Sequence, residues 1–126
     1  TILVVEDKAR IRSLLAEGLQ QLGYAVLQAP NAEDCLSLLK EHSGGIDLLI
    51  TDIVMPGVSG AELAEHVGRD RPGIRVLYIS GYDRRELSRR GIAERGTHFL
   101  AKPFSNTELT QTVRAALDET KTPERG

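Results

Sequence analysis

One apolar segment that ends in a single carboxylate places the strongest constraint on how this chain folds. Residues 48–60 have the sequence LLITDIVMPGVSG, in which three apolar residues lead to Thr51 and Asp52 and a Pro-Gly pair then interrupts regular structure. This order predicts a buried strand, a loop, and a helix that opens at Gly60. Carboxylates are seldom buried for packing alone, and ligands bind at the carboxyl edge of open α/β sheets. We therefore expect Asp52 to lie at a functional edge.

Composition limits the domain organisation and the classes of function. The 126 residues, 40% hydrophobic and 27% charged, suit one domain with its own core. A net charge of −2 gives no general attraction to nucleic acid or anionic membrane, and no apolar run approaches the ~20 residues of a membrane span. The single cysteine, Cys35, cannot form an internal disulfide and is expected in the core. We expect a cytoplasmic domain that neither enters a membrane nor binds nucleic acid directly.

Short β-branched runs alternate with amphipathic helical segments along the chain. The patterns predict strands over residues 2–5, 24–28, 47–51, 75–80 and 97–101. They predict helices over residues 8–22, 32–42 and 60–67, a short and weakly anchored helix within 81–96, and a last helix capped by Ser105 or Asn106 that runs through Leu117. In the first helix, the apolar stripe consists of Ile11, Leu14, Leu15, Leu19 and Leu22.

This alternation predicts an α/β fold with a parallel five-stranded sheet and helices on both faces. Right-handed crossovers favour a doubly wound, flavodoxin-like (βα)5 sandwich with the strand order 2-1-3-4-5. Residues 1–119 are expected to form the domain, and the polar residues 120–126 a tail or linker. A first residue other than methionine suggests either a segment of a longer protein or a processed end.

The predicted strands deliver a distinctive set of side chains to one edge of the sheet. Strand one ends in Glu6 and Asp7, strand three in Asp52, strand four in Ser80 and strand five in Lys102. Clustered carboxylates repel one another and bind a hard divalent cation such as Mg²⁺, and a lysine pairs with a phosphoryl group. These residue types suit phosphoryl transfer onto one carboxylate, because positioning and electrostatics supply most of that catalysis.

Each of these residues alone has a more ordinary interpretation. Asp52 could belong to a turn, the pair Glu6-Asp7 could supply capping charge to the first helix, and Lys102 could be a solvated surface charge. Their joint placement at strand ends favours the functional interpretation, although the acidic pair can serve both roles. The arginine-rich run 84–95 is predicted to be a solvated face, and the three histidines show no metal-ligand spacing.

The ordered motifs resemble the receiver domain of the response-regulator family of two-component signalling. The matching segments are VVED at residues 4–7, TDIVMPGVSG at 51–60, ISGYD at 79–83 and FLAKPF at 99–104. The resemblance implies a phospho-acceptor module of a phosphorelay. It is strongest to receivers attached to hybrid sensor histidine kinases, which suggests a larger signalling protein. A receiver joined to a DNA-binding output domain and a free-standing receiver are the open alternatives.

The resemblance also implies an acceptor and a set of Mg²⁺ ligands. Asp52 resembles the phospho-accepting aspartate, which also contacts the metal ion. Asp7 resembles the direct Mg²⁺ ligand, and Glu6 the carboxylate that acts through water. The backbone carbonyl of Val54 would complete the metal site.

A switch is implied by the same resemblance. Ser80 resembles the switch hydroxyl, Lys102 the lysine that pairs with the phosphate, and Phe99 the mobile aromatic residue. Pro103 stands where the family has a cis peptide bond. Phosphorylation by a histidine kinase or a histidine phosphotransfer protein would bias the face formed by the helix within 81–96, the fifth strand and the last helix. An output partner or a second copy would bind that face.

Three other functions are open on the sequence alone. A haloacid-dehalogenase-like phosphatase also uses a strand-end aspartate and Mg²⁺, but it requires a second acid two residues later, where this chain has Val54. The intact set of site residues disfavours a phosphorylation-independent interaction domain. A nucleotide-binding domain is disfavoured because no glycine-rich loop follows strand one. We expect no enzyme activity beyond slow self-dephosphorylation.

Overall fold

The computed structural model describes residues 1–42, 44–53, 59–80, 98–102 and 104–118, and these contain five parallel strands and four helices. The strands are β1 (Ile2–Val5), β2 (Val26–Ala29), β3 (Leu48–Asp52), β4 (Arg75–Ser80) and β5 (His98–Ala101). The helices are α1 (Ala9–Gln21), α2 (Ala32–Glu41), α3 (Gly60–Asp70) and α4 (Asn106–Asp118). The sheet order is β2-β1-β3-β4-β5 with every pair parallel, which confirms the predicted fold and strand order.

The central strands are buried on both faces, and their alternating side chains enter two separate cores. One core joins alternate residues of β1, β3 and β4 to α1 and α4: Ile2, Val4, Leu48, Ile50, Leu77, Ile79, Leu15, Leu19, Leu109, Val113 and Ala116. The other joins the opposite faces to α2 and α3: Leu3, Val5, Leu49, Cys35, Leu39, Leu63 and Val67. This two-sided burial explains why the strands are continuous apolar runs. Among the described residues, no helix combines the length and the apolar character that a membrane span requires.

Cys35 belongs to the second core, as predicted. Its side chain is fully buried, and burial raises the pKa of its thiol to about 12. The thiol is therefore protonated at neutral pH and packs as a small apolar group.

The predicted second strand is wrong at both ends. Gly23 has a φ of 97°, a left-handed conformation that ends α1. The backbone N–H of Tyr24 then donates to the Leu19 carbonyl at 3.2 Å. Tyr24 therefore belongs to the helix-closing turn, and the strand is Val26–Ala29.

Other boundaries differ from the prediction by small amounts. β3 ends at Asp52 rather than at Thr51, so the carboxylate lies within the strand. α3 continues to Asp70, three residues beyond its predicted end. Leu14 in α1 is 58% exposed and Leu22, which follows the helix, is 47% exposed, because the sheet covers a narrower arc of the helix than the predicted apolar stripe spans.

Two reciprocal capping boxes begin the helices that follow β3 and β5. At α3, the Glu62 N–H donates to Ser59 Oγ at 3.2 Å, and the Ser59 N–H donates to Glu62 Oε1 at 3.1 Å. At α4, the Glu108 N–H donates to Ser105 Oγ at 3.0 Å, and the Ser105 N–H donates to Glu108 Oε1 at 2.9 Å. Ser105 is therefore the cap of the last helix.

Several predictions concern residues outside this description. They are the helix within 81–96, the carbonyl of Val54, the peptide bond at Pro103, and the tail over 120–126.

Leu49→Ala is expected to lower the free energy of unfolding by about 2–5 kcal/mol, because Leu49 is fully buried and its loss leaves a cavity in the second core. The matched control is Leu14→Ala, which removes a largely exposed side chain and should change stability by less than about 0.5 kcal/mol. Urea denaturation measures both. Equal losses in the two variants would contradict the assigned burial.

Candidate functional site

The carboxyl ends of β1, β3, β4 and β5 meet at one edge of the sheet. Glu6 directly follows β1, Asp52 ends β3, Ser80 ends β4 and Lys102 directly follows β5. The Lys102 N–H donates to the Ser80 carbonyl at 2.8 Å, which extends the sheet beyond β5. The parallel arrangement thus brings together side chains that are far apart in sequence.

The Lys102 ammonium lies between two buried carboxylates. Its Nζ donates to Asp52 Oδ2 at 2.8 Å and lies 3.3 Å from Glu6 Oε1. Burial alone would lower the pKa of Lys102, but the hydrogen bond to Asp52 and the charges of Asp52 and Glu6 outweigh burial and raise it. Lys102 is therefore charged at neutral pH and partly neutralises the two acids.

Glu6 keeps one carboxylate oxygen unused. The side chain is fully buried, and Oε2 accepts a hydrogen bond from the Lys8 N–H at 3.1 Å at the start of α1. Oε1 accepts no hydrogen bond from the described residues, so its contact with Lys102 is an ion pair without hydrogen-bond geometry. Burial, together with the charge of Asp52, raises the pKa of Glu6 despite the Lys8 and Lys102 contacts.

A third carboxylate, on Asp7, joins the other two. One oxygen each from Glu6, Asp7 and Asp52 lies within 4.8 Å of the other two. Glu6 and Asp52 are buried and Asp7 is exposed, so the cluster opens to solvent on one side. Three convergent oxygens suit a hard cation such as Mg²⁺, and the unused Glu6 oxygen is a further acceptor for a metal-bound water. The predicted carboxylates thus converge, whereas Val54 lies outside the described residues.

Ser80 and Phe99 occupy neighbouring strands at this edge. Ser80 is 1% exposed at the end of β4. Phe99, in β5, is half-buried and packs against the small cluster of Ile53 and Tyr78. Ser80 thus ends β4 at the edge that carries Asp52, and Phe99 lies in β5 three residues before Lys102.

Gly60 is a site residue that the sequence interpretation treated only as a helix start. A Cβ at this position would overlap the Asp52 carbonyl oxygen and lie 2.9 Å from Ile53 Cα. The Gly60 N–H donates to the Ile53 carbonyl at 2.8 Å, which holds α3 against the end of β3. Glycine is therefore required for this close approach.

An apolar groove of about 380 Å³ adjoins the site. It is lined by Ile11, Leu14, Lys102 and Phe104. The exposure of Leu14 is thus part of a larger apolar surface beside the lysine, on the α1 side of the molecule. The sequence interpretation did not include this surface.

The site combines an acidic cluster, a strand-end aspartate and a paired lysine. Comparison of the chain with known proteins identifies its family. The family model of the response regulator receiver domain matches residues 2–114. The chain belongs to this family. The receiver domain is the phospho-accepting part of two-component response regulators, so membership confirms the resemblance drawn from the motifs.

Individual relatives agree with this assignment. The sensor kinase CckA of Brucella abortus (strain 2308) is 33% identical over 119 residues, which are 94% of this chain and 13% of CckA. The response regulator receiver protein CpdR of the same organism is 32% identical over 116 residues, which are 92% of this chain and 95% of CpdR. The crystal structure of the receiver domain from the hybrid histidine kinase CckA has a TM-score of 0.77 and 36% identity, and covers 93% of this chain and 98% of that one.

The share of each relative that is matched differs widely. The chain spans 13% of CckA and 48% of the transcriptional regulatory protein YrkP of Bacillus subtilis (strain 168), which is 37% identical over 116 residues. The chain thus corresponds to one part of a sensor kinase and to about half of a transcriptional regulatory protein.

Glu6→Gln is expected to stabilise the metal-free receiver domain at neutral pH. Because folding raises the pKa of Glu6, ionised Glu6 costs stability. That cost is absent below the ordinary carboxyl pKa and complete above the raised value. The free energy of unfolding of the variant should therefore exceed that of wild type most at neutral pH and little at acidic pH. Urea denaturation in chelator-treated buffer measures this difference.

The control for this variant is Glu17→Gln, on the exposed face of α1, which should show no such pH-dependent gain. A Glu6→Gln variant that is less stable than wild type at neutral pH would show that the carboxylate charge stabilises the metal-free fold.

Proposed function

We propose that this receiver domain accepts a phosphoryl group on Asp52 from a phosphohistidine, with Mg²⁺ held by Glu6, Asp7 and Asp52. The observation that carries the proposal is the position of Asp52. Its Oδ2 is 2.8 Å from the Lys102 ammonium, and one of its carboxylate oxygens lies within 4.8 Å of oxygens of Glu6 and Asp7. A carboxylate that is paired with an ammonium and belongs to a metal-binding cluster suits nucleophilic attack on phosphorus.

In the proposed reaction, an oxygen of Asp52 forms a bond to phosphorus while the bond from phosphorus to the donor imidazole nitrogen breaks. The electron pair of that bond stays on the imidazole, and the product is an acyl phosphate. A bound Mg²⁺ would neutralise the negative oxygens of the phosphoryl group. Glu6 and Asp7 would hold the ion, with Glu6 acting through water.

Lys102 orients the nucleophile before transfer and follows the charge afterwards. Its hydrogen bond to Asp52 Oδ2 engages one carboxylate oxygen. When the charge of Asp52 moves outward to the phosphoryl oxygens, the ammonium pairs with them. The Ser80 hydroxyl, at the neighbouring strand end, donates to another phosphoryl oxygen, and Phe99 turns inward toward it. Both motions remain predictions of the proposal.

The donor and the parent protein belong to the same proposal. We infer a histidine kinase or a histidine phosphotransfer protein as donor, and a cytoplasmic hybrid sensor histidine kinase as the larger protein. The matches to CckA support this context, and the apolar groove beside Lys102 supports a protein rather than a free metabolite as donor. The output face would include β5, α4 and residues 81–96, with slow self-dephosphorylation as the only catalytic activity.

Asp52→Asn is expected to abolish phosphorylation, because an amide is a far weaker nucleophile than a carboxylate. Wild-type protein, incubated with acetyl phosphate and Mg²⁺, should gain one phosphoryl group by intact-protein mass spectrometry. Removal of Mg²⁺ by EDTA should prevent the gain. The matched control is Asp70→Asn at the exposed end of α3, which should gain the group as wild type does. A gain in Asp52→Asn would assign the acceptor to another residue.

A further inference from the structure

The side chain of Arg12 reaches back from α1 to the loop that carries the acidic pair. Its Nη1 donates to the backbone carbonyl of Glu6 at 2.7 Å, across six residues of sequence. The guanidinium makes no ion pair with a carboxylate of the described residues. This half-buried arginine thus donates to a main-chain oxygen, although the carboxylates of Glu6, Asp7 and Asp52 lie close to that loop.

The bonded carbonyl belongs to the peptide that joins Glu6 to Asp7. A peptide unit is planar, so fixing its oxygen fixes the direction in which the chain enters Asp7. The other side of Glu6 is also held, because its N–H donates to the Ala29 carbonyl at 3.1 Å. Glu6 is therefore restrained at its N–H, its carbonyl and one carboxylate oxygen.

Asp7 has no comparable restraint of its own. Its side chain is exposed and accepts no hydrogen bond from the described residues, so its position depends on the backbone that precedes it. The carboxylate nevertheless has to stay within reach of Glu6 and Asp52 to share a cation with them. The contact from Arg12 is the one side-chain hydrogen bond in the described part of the chain that holds the peptide linking Glu6 to Asp7.

We propose that Arg12 is a positioning residue of the cation site: it fixes the peptide between Glu6 and Asp7, and so holds the Asp7 carboxylate where it can share a divalent cation with Glu6 and Asp52. The inference rests on the proposed function in requiring Mg²⁺ at this site. The inference adds Arg12, which is positively charged like the cation and nevertheless strengthens Mg²⁺ binding. Residues that orient metal ligands typically change metal affinity by about 10–100-fold when they are replaced.

The positioning role and a purely electrostatic role of Arg12 predict opposite changes in Mg²⁺ affinity when Arg12 is neutralised. A guanidinium near the acidic cluster repels a divalent cation, so neutralising Arg12 would tighten Mg²⁺ binding if charge alone mattered. Neutralising Arg12 weakens binding if the hydrogen bond to Glu6 positions Asp7. The neighbouring Arg10 is exposed on the same turn of α1 and provides the matched control for charge.

The experiment measures Mg²⁺ affinity by isothermal titration calorimetry on the full chain for wild type, Arg12→Met and Arg10→Met. We expect Arg12→Met to bind Mg²⁺ about 10-fold more weakly, and Arg10→Met to bind it as tightly as wild type or slightly more tightly. Urea denaturation in metal-free buffer, run in parallel, separates loss of ion affinity from loss of fold. If Arg12→Met does not fold, Arg12→Gln replaces it. The same loss of Mg²⁺ affinity is expected, because the glutamine side chain is shorter than arginine and does not reach the Glu6 carbonyl.

Unchanged or tighter Mg²⁺ binding in the Arg12 variant would overturn the positioning role while leaving the proposed function intact. Equal weakening in the Arg10 and Arg12 variants would also overturn it, since the loss of affinity would then not depend on the hydrogen bond to Glu6. A folded wild-type protein that binds no Mg²⁺ would overturn both this inference and the metal site of the proposed function.

Discussion

The ion pair between Lys102 and Asp52 is the interaction on which the site depends. Two buried carboxylates, Glu6 and Asp52, lie at the ends of adjacent strands, and the charge of Asp52 opposes ionisation of Glu6. The single ammonium, 2.8 Å from one acid and 3.3 Å from the other, offsets that repulsion. Burial, together with the charge of Asp52, nevertheless raises the pKa of Glu6. The three carboxylates and one ammonium leave a net negative charge that attracts a cation.

The fold holds these charges in place through its buried strands. β1 and β3 lie between two apolar cores, so neither strand can shift its register without moving its side chains to the wrong face. Capping boxes at Ser59 and Ser105 fix where the following helices begin. Gly60 lets α3 approach the Asp52 backbone. The site is therefore rigid on the side of the sheet and open to solvent at Asp7, which suits a group that must meet a partner.

Much of this arrangement could be predicted from the sequence, because strand ends and their side chains follow directly from alternating apolar runs. The parallel order then brings the acids, Ser80 and Lys102 to one edge. Features that depend on three-dimensional contact were not predictable in the same way. The exposure of Leu14 depends on how α1 is rotated on the sheet, and the start of β2 depends on the left-handed turn at Gly23. The close approach at Gly60 and the reach of Arg12 to a main-chain oxygen leave no periodic pattern.

The most direct test is a crystal structure of the domain with Mg²⁺ and beryllium trifluoride, a stand-in for the phosphoryl group. The account predicts the trifluoride on a carboxylate oxygen of Asp52, the metal ion against Asp7 and Asp52, and the Lys102 ammonium moved from Asp52 to a fluorine. A trifluoride bound to another carboxylate, or a metal ion that avoids Asp7, would contradict the account.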